Sequence, residues 1–230
     1  MRTHALKQEQ VPLFLNGATE LRVVVKPQPT ETGWNPSRSG QWLGSTHWRW
    51  NDCEFGNTSA LVCKLEMSCP YPVGSELALT ETWASCGTSF ITGRTVVVYK
   101  ADGEYGHGVA FDWRSPSTMP AEFSRFQRRV AAVRVERLQD ITEAGADAAC
   151  FCGDIPHRLF PHLFDDSGSL SIPECFAVVW NAAHPDYPWE SNPWTWVLTL
   201  EAPEYRKLEL SLPANALLQA VLIHPEEVKE

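Results

Sequence analysis

The stretch Asn16-Gly-Ala-Thr-Glu-Leu-Arg-Val-Val-Val-Lys-Pro-Gln-Pro29 decides the fold of this chain. Leu21 to Lys26 is largely apolar and β-branched, the composition of a buried strand. The Pro27/Pro29 pair stops it, because proline cannot donate to a ladder. Gly17 marks a turn ahead of that strand, and the residues before the turn read as a short helix. Helix, glycine turn and core strand follow one another directly.

Around this segment lie 230 residues, 43% of them hydrophobic, enough for one large domain or a smaller one carrying insertions. Residues 30–57 are rich in Gly, Ser, Thr and Asn without sustained periodicity, as expected of a long insertion. Trp34, Trp42, Trp48 and Trp50 crowd this stretch, so the insertion packs instead of dangling. Such rings can stack bases, but apolar filling of a long connection is their commoner use.

A net charge of −9 argues against a broad nucleic-acid face and against extended duplex binding, which draws on clustered Lys and Arg. The best basic cluster is Arg125, Arg128, Arg129, Arg134 and Arg137, set against Glu122 and Glu136, and it reads as a solvated strand edge. The seven cysteines are odd in number and irregularly spaced, a poor disulfide framework. The first residues lack the apolar core of a secretory signal, and no run of about 18 apolar residues occurs. A reduced, cytoplasmic protein without membrane partners is expected.

Further strands are predicted from Val73 to Trp83 and from Arg94 to Tyr99, forming a hairpin around Cys86-Gly87, and within Phe123–Leu138. Asp140 or Thr142 caps a helix running to about Cys150, and an amphipathic helix covers Ile172 to Ala183. Further along, Tyr205–Leu212 reads as a strand and Ala214–Ile223 as a short apolar helix. The pattern implies an α+β fold or a mixed β-barrel.

The opening segment resembles the start of the ASCH family, especially its phage-encoded branch, where Gly-x-Lys-Thr-x-Thr-Arg-Arg leads into Val-Val-Lys-Pro-Gln-Pro. Later stretches agree in order: Cys69-Pro-Tyr-Pro-Val-Gly74 with Glu81-Thr-Trp83, Tyr99-Lys-Ala-Asp-Gly103, Val133-Arg-Val-Glu-Arg-Leu-Gln-Asp-Ile-Thr142, and Asn192-Pro-Trp-Thr-Trp196. The resemblance covers residues 11–202 and leaves 203–230 as a C-terminal strand and helix extension. It implies a PUA-like mixed β-barrel, closed by a strand over Trp194–Glu201, with flanking helices, one beside a cleft, and with the Trp-rich insertion at about 30–57.

The resemblance also implies a Lys, a Thr and a Glu that deacylate N4-acetylcytidine. Hydrolysing an amide needs a nucleophile, a base and an acid. Here those positions read Ala18, Leu21 and Ala149, none of which can transfer a proton. Sliding the register by one places Thr19 and Arg22 there instead, still without a lysine. The expectation is a catalytically degenerate binding protein for a modified nucleoside, single-stranded RNA or a protein partner. Arg22, Lys26, Glu81, Trp83 and Trp194 are its ligand-binding candidates. One alternative is an active amidohydrolase with relocated groups, using Thr19, Lys26 and Glu81 or Asp147. Another is a phage accessory protein that acts by contact with a host protein, in the bacterial cytoplasm.

Cys150, Cys152, His157 and His162 offer a zinc-like ligand set, but a one-residue gap between the thiols fits tetrahedral zinc poorly. No cofactor and no metal is assigned. Nucleophile-elbow, phosphate-loop, His-Glu-x-x-His and dinucleotide motifs are absent.

Overall fold

The computed structural model describes residues 1–32, 34–36, 40–43, 47–55, 63–89, 93–103, 110–149, 155–164 and 170–202. The expected extension at 203–230, with its strand and helix, lies outside them, as do Cys150 and Cys152. In chain order the regular elements begin with β1 (Arg2–Ala5), α1 (Val11–Leu15), β2 (Glu20–Val24), β3 (Trp34–Pro36), β4 (Gly40–Leu43), β5 (His47–Phe55) and β6 (Cys63–Ser68). They continue with β7 (Glu76–Thr80), β8 (Trp83–Thr88), β9 (Thr95–Tyr99), β10 (Phe126–Arg137), α2 (Glu143–Ala148), α3 (Ile155–Leu159), α4 (Ile172–Ala183) and β11 (Trp194–Leu200). This is a mixed α+β fold, mostly strands with few helices.

The principal sheet has the order β1-β7-β10-β11-β2, with β1 parallel to β7 and the other pairs antiparallel. It begins at Arg2, ahead of the expected boundary at residue 11. Its edge strands β1 and β2 are not paired with each other among the described residues, so the sheet is not a closed barrel. The helix, glycine turn and strand expected around Gly17 are all present, with Gly17 at φ +95° where a side chain would be strained.

Two sequence expectations fail at particular residues. The Trp-rich stretch is not an irregular connection: β5 is flanked on one side by β3 and β4 and on the other by β6. Trp50 is completely buried, its ring 5.3 Å from that of Trp194 at 68°, so it docks the small sheet on the large one as apolar filling. The β8–β9 hairpin does not turn at Cys86-Gly87. Gly87, at φ +108°, sits in a register shift between Ser85 and Thr88, and the chain reverses between Ser89 and Arg94.

The helices follow local chemistry. Thr142 caps α2, its hydroxyl accepting from the Gly145 N–H at 3.1 Å. Glu174 accepts from the Ser171 N–H at 2.7 Å and so closes a capping box at the start of α4. Helix α4 buries Cys175, Phe176, Val179, Trp180 and Ala183, the spacing of one helical face. That face and α1 meet the same core cluster as Leu21, Leu198 and Val133 of the sheet.

The arginine cluster does not occupy an edge. Strand β10 lies between β7 and β11, and two arginines of the cluster, Arg125 and Arg134, bind carboxylates brought in from distant sequence. Arg134 binds Glu20 at 2.6 Å and Glu136 at 2.5 Å, while Arg22 binds Glu20 at 3.0 Å and Glu136 at 3.1 Å. Arg125 binds Glu81 at 2.7 Å and Asp102 at 2.6 Å.

Candidate functional site

Ala18, Leu21 and Ala149, more than a hundred residues apart in sequence at the extremes, line one small cavity. The turn before β2 brings the first two there. The end of α2 brings the third, held by the Thr19 N–H donating to the Ala148 carbonyl at 2.8 Å. Phe14, Phe176, Val179 and Trp180 fill much of the remaining wall, leaving about 40 Å³. That is space for water-sized molecules, well below the roughly 300–1,000 Å³ of small-molecule sites. Two polar side chains at its edge, Glu20 and Arg22, are bonded to each other.

A larger cleft of about 490 Å³ lies beside it, between the two edge strands of the main sheet. His4, Ala5 and Lys7 supply one wall and Arg22, Val23, Val24 and Lys26 the other. The sheet therefore curls until β1 and β2 face each other across an open seam. Ser68 and Pro70 follow β6 into the cleft, and Ala183 to Tyr187 follow α4. Trp196 lines it from β11, the register placing its side chain beside Val23 on the same face.

The electrostatics of the cleft are cationic. Lys7, Arg22 and Lys26 line it, against one carboxylate, Asp186. Lys26 is exposed, with its ammonium 5.1 Å from the centre of the Tyr187 ring. His4 is held at about 4 by burial and by the charge of Lys7, and its Nδ1 shares a 2.8 Å hydrogen bond with the Tyr71 hydroxyl. Burial also lowers His184 to about 4. Lys7, His4 and Lys26 reinforce that shift, and a hydrogen bond to Trp180 opposes it. The His184 ring stacks on Trp180 at 3.9 Å. Both imidazoles are neutral at pH 7 and Arg22 is paired with Glu20 and Glu136, so the positive charge of the cleft belongs to Lys7 and Lys26.

Of the ligand candidates named from sequence, Arg22 and Lys26 share this cleft, whereas Glu81, Trp83 and Trp194 line neither cavity. Glu81 is buried and engages Arg125 through both oxygens, at 2.7 and 2.9 Å; burial pushes its carboxyl above the usual range against the pull of Arg125. Trp83 packs with Phe123 and beneath the Arg114 guanidinium. Trp194 lies between Trp50 and the Arg137 guanidinium, 4.6 Å from its ring centre.

The relocated set does not share a site either. Thr19 lines neither cavity, and its hydroxyl is 3.4 Å from the Ala148 carbonyl. Asp147, at an exposed position on α2, also lines neither cavity. His162 is exposed, and no group of three or more potential metal ligands occurs among the described residues. Also among the described residues, no helix is long and apolar enough to cross a membrane.

His4, Lys7, His184 and Tyr187 escaped the sequence reading. Lys7 and His4 precede the segment that carried the resemblance, and His184 and Tyr187 follow a helix whose apolar face drew attention first. Comparison of the chain with family models, curated proteins and solved structures returns no match.

Proposed function

We propose that this chain is a non-hydrolytic binding protein of ASCH-like descent, taking a nucleoside-sized ligand in the cleft between β1 and β2. One observation carries the reading. The three positions at which the resemblance implies Lys, Thr and Glu do converge in space, and they converge as Ala18, Leu21 and Ala149 around an apolar cavity of about 40 Å³. The turn before β2, β2 itself and the residue after α2 supply them, which supports reading the three as counterparts of one ancestral site. The same convergence removes the nucleophile, base and acid that amide hydrolysis requires.

The neighbouring cleft, at about 490 Å³, has the size of a small-molecule site and combines aromatic rings with a few polar groups. Helix α4 stands beside it, as the ASCH-like arrangement implies. The open seam then corresponds to a PUA-like barrel whose closing contact is replaced by a binding groove. Acidic net charge favours a single nucleoside over a length of RNA, since a polyanion would meet a chain carrying −9.

Incubation of the purified protein with N4-acetylcytidine tests this directly. Saturable binding by calorimetry without release of acetate is the expected result. Turnover that disappears in Thr19→Ala or Lys26→Ala would establish the relocated amidohydrolase in its place.

A further inference from the structure

We propose that the inner cleft is a phosphomonoester seat, so that the ligand is a small ring-bearing phosphate and not a neutral nucleoside. The inference rests on the binding reading above and specifies the chemistry of the same site.

Two independent observations support an anion. The first is unbalanced charge at the rim. Lys7 and Lys26 stand on opposite walls, both near enough to His184 to influence its protonation, and neither forms an ion pair with a carboxylate among the described residues. Like charges held together across a cleft repel, and an anion between them converts that cost into attraction. Asp186, on the same lining, is not paired with either lysine.

The second is a pair of enclosed polar atoms without partners. Arg22 is almost fully buried, and its Nε and Nη2 are committed to Glu20 and Glu136, but Nη1 has no hydrogen-bond partner. His184 Nδ1 is in the same condition. Arg22 and His184 both line the cleft and also the small cavity behind it. A buried guanidinium N–H left unmade costs about 1–3 kcal/mol.

Phosphate fits better than carboxylate. The planar fork of Arg22 is already occupied by carboxylates on two of its nitrogens, so a bidentate grip on a ligand carboxylate is not open to it. What remains is one guanidinium N–H and two flexible ammonium groups. Those are point donors suited to a tetrahedral dianion whose oxygens point in different directions. The aromatic residues Tyr187 and Trp196 line the same cleft.

Calorimetric titration with cytidine 5′-monophosphate, cytidine and inorganic phosphate tests this, at low and moderate salt. The expected order is cytidine monophosphate at least tenfold tighter than either fragment, weakening as salt rises. Arg22 belongs to a buried network and its replacement risks unfolding, so the variants are Lys7→Gln and Lys26→Gln, both at exposed positions. Each should weaken the monophosphate about tenfold, the equivalent of one charge-assisted hydrogen bond, and weaken cytidine by much less. Equal affinities for cytidine and its monophosphate would overturn the phosphate seat while leaving the binding reading intact. Phosphate alone binding as tightly as the nucleotide, or wild-type affinity in both lysine variants, would also overturn it. Absence of binding by both cytidine and its monophosphate would remove both proposals. An oligoribonucleotide that outcompetes the monophosphate would replace the small ligand with RNA.

Discussion

Arg22 on β2 and Glu136 on β10 are separated by a whole strand, yet their side chains meet at 3.1 Å across the face of β11. Beneath them lie Val197 and Thr195, both fully buried. Glu20 and Arg134 complete the group, so two acids and two arginines staple three strands on one face of the sheet. In a buried network of this kind the pairing need not outweigh desolvation, but breaking it strands a charge.

Glu20→Ala is therefore expected to cost about 3–5 kcal/mol, because Glu20 accepts from both Arg22 and Arg134. Chemical denaturation measures it. A loss below about 1 kcal/mol would mean that the arginines find other partners or water.

Gly145→Ala should stabilise the fold. A methyl group there would sit 3.4 Å from Thr142 Oγ1 and 3.5 Å from Arg22 Nη2 and Glu20 Oε1, within ordinary contact. The helix interior gains up to about 1 kcal/mol from the substitution. A lower denaturation midpoint would show that α2 needs closer approach to the charge network than those distances indicate.

Acidification should weaken the fold between pH 6.5 and about 4. His4 and His184 have folded-state values lowered to about 4, so as pH falls below the ordinary 6.5 the unfolded chain takes up protons that the folded chain refuses. Their contribution is fully present above 6.5 and levels off below 4. Denaturation midpoints at pH 7 and pH 5 in wild type and in a His4→Gln/His184→Gln variant provide the check: the slope should flatten in the variant. An unchanged slope would assign the acid sensitivity to other groups.

Glu81→Ala should lower stability by about 2–4 kcal/mol, since it removes the carboxylate that Arg125 holds through two bonds. Affinity for cytidine 5′-monophosphate should stay as in wild type, because Glu81 does not line the cleft. A loss of binding in folded protein would return Glu81 to the ligand.

The sequence was most legible where local chemistry suffices. Ser171, Pro173 and Glu174 announce the start of α4, and the structure begins and ends it at the expected Ile172 and Ala183. The turn at Gly17 was equally readable, from a residue that takes positive φ without strain, whereas β11 followed from the family resemblance. The small sheet was missed because its Gly, Ser and Asn content outweighed a short alternation, Trp48-Arg49-Trp50, that places both rings on one face. Gly87 was misread for a related reason: glycine serves turns and bulges alike, and only the register distinguishes them.

The cleft was half legible. Arg22 and Lys26 lie in the segment that carried the resemblance, whereas their neighbours come from β1 and from the residues after α4, and nothing in the linear order joins those three regions. Arg125 and Arg134 looked like solvated edge charges because their partners, Glu81 and Glu20, are 44 and 114 residues away. Charge cancellation at that separation is a property of the folded sheet alone.

The place of β11 between β10 and β2 also sets a timetable. Strand β2 is synthesised long before the strand it hydrogen-bonds to, which begins at Trp194. Until then Leu21 has no Leu198 beside it, and β2 waits through some 170 residues of synthesis with its apolar edge uncovered. Such long-range pairing slows folding, because closing a long loop comes before any contact that rewards it. A nascent chain stalled before Trp194 should therefore be a client for chaperones, and β11 is the strand whose arrival lets β2 and β10 settle.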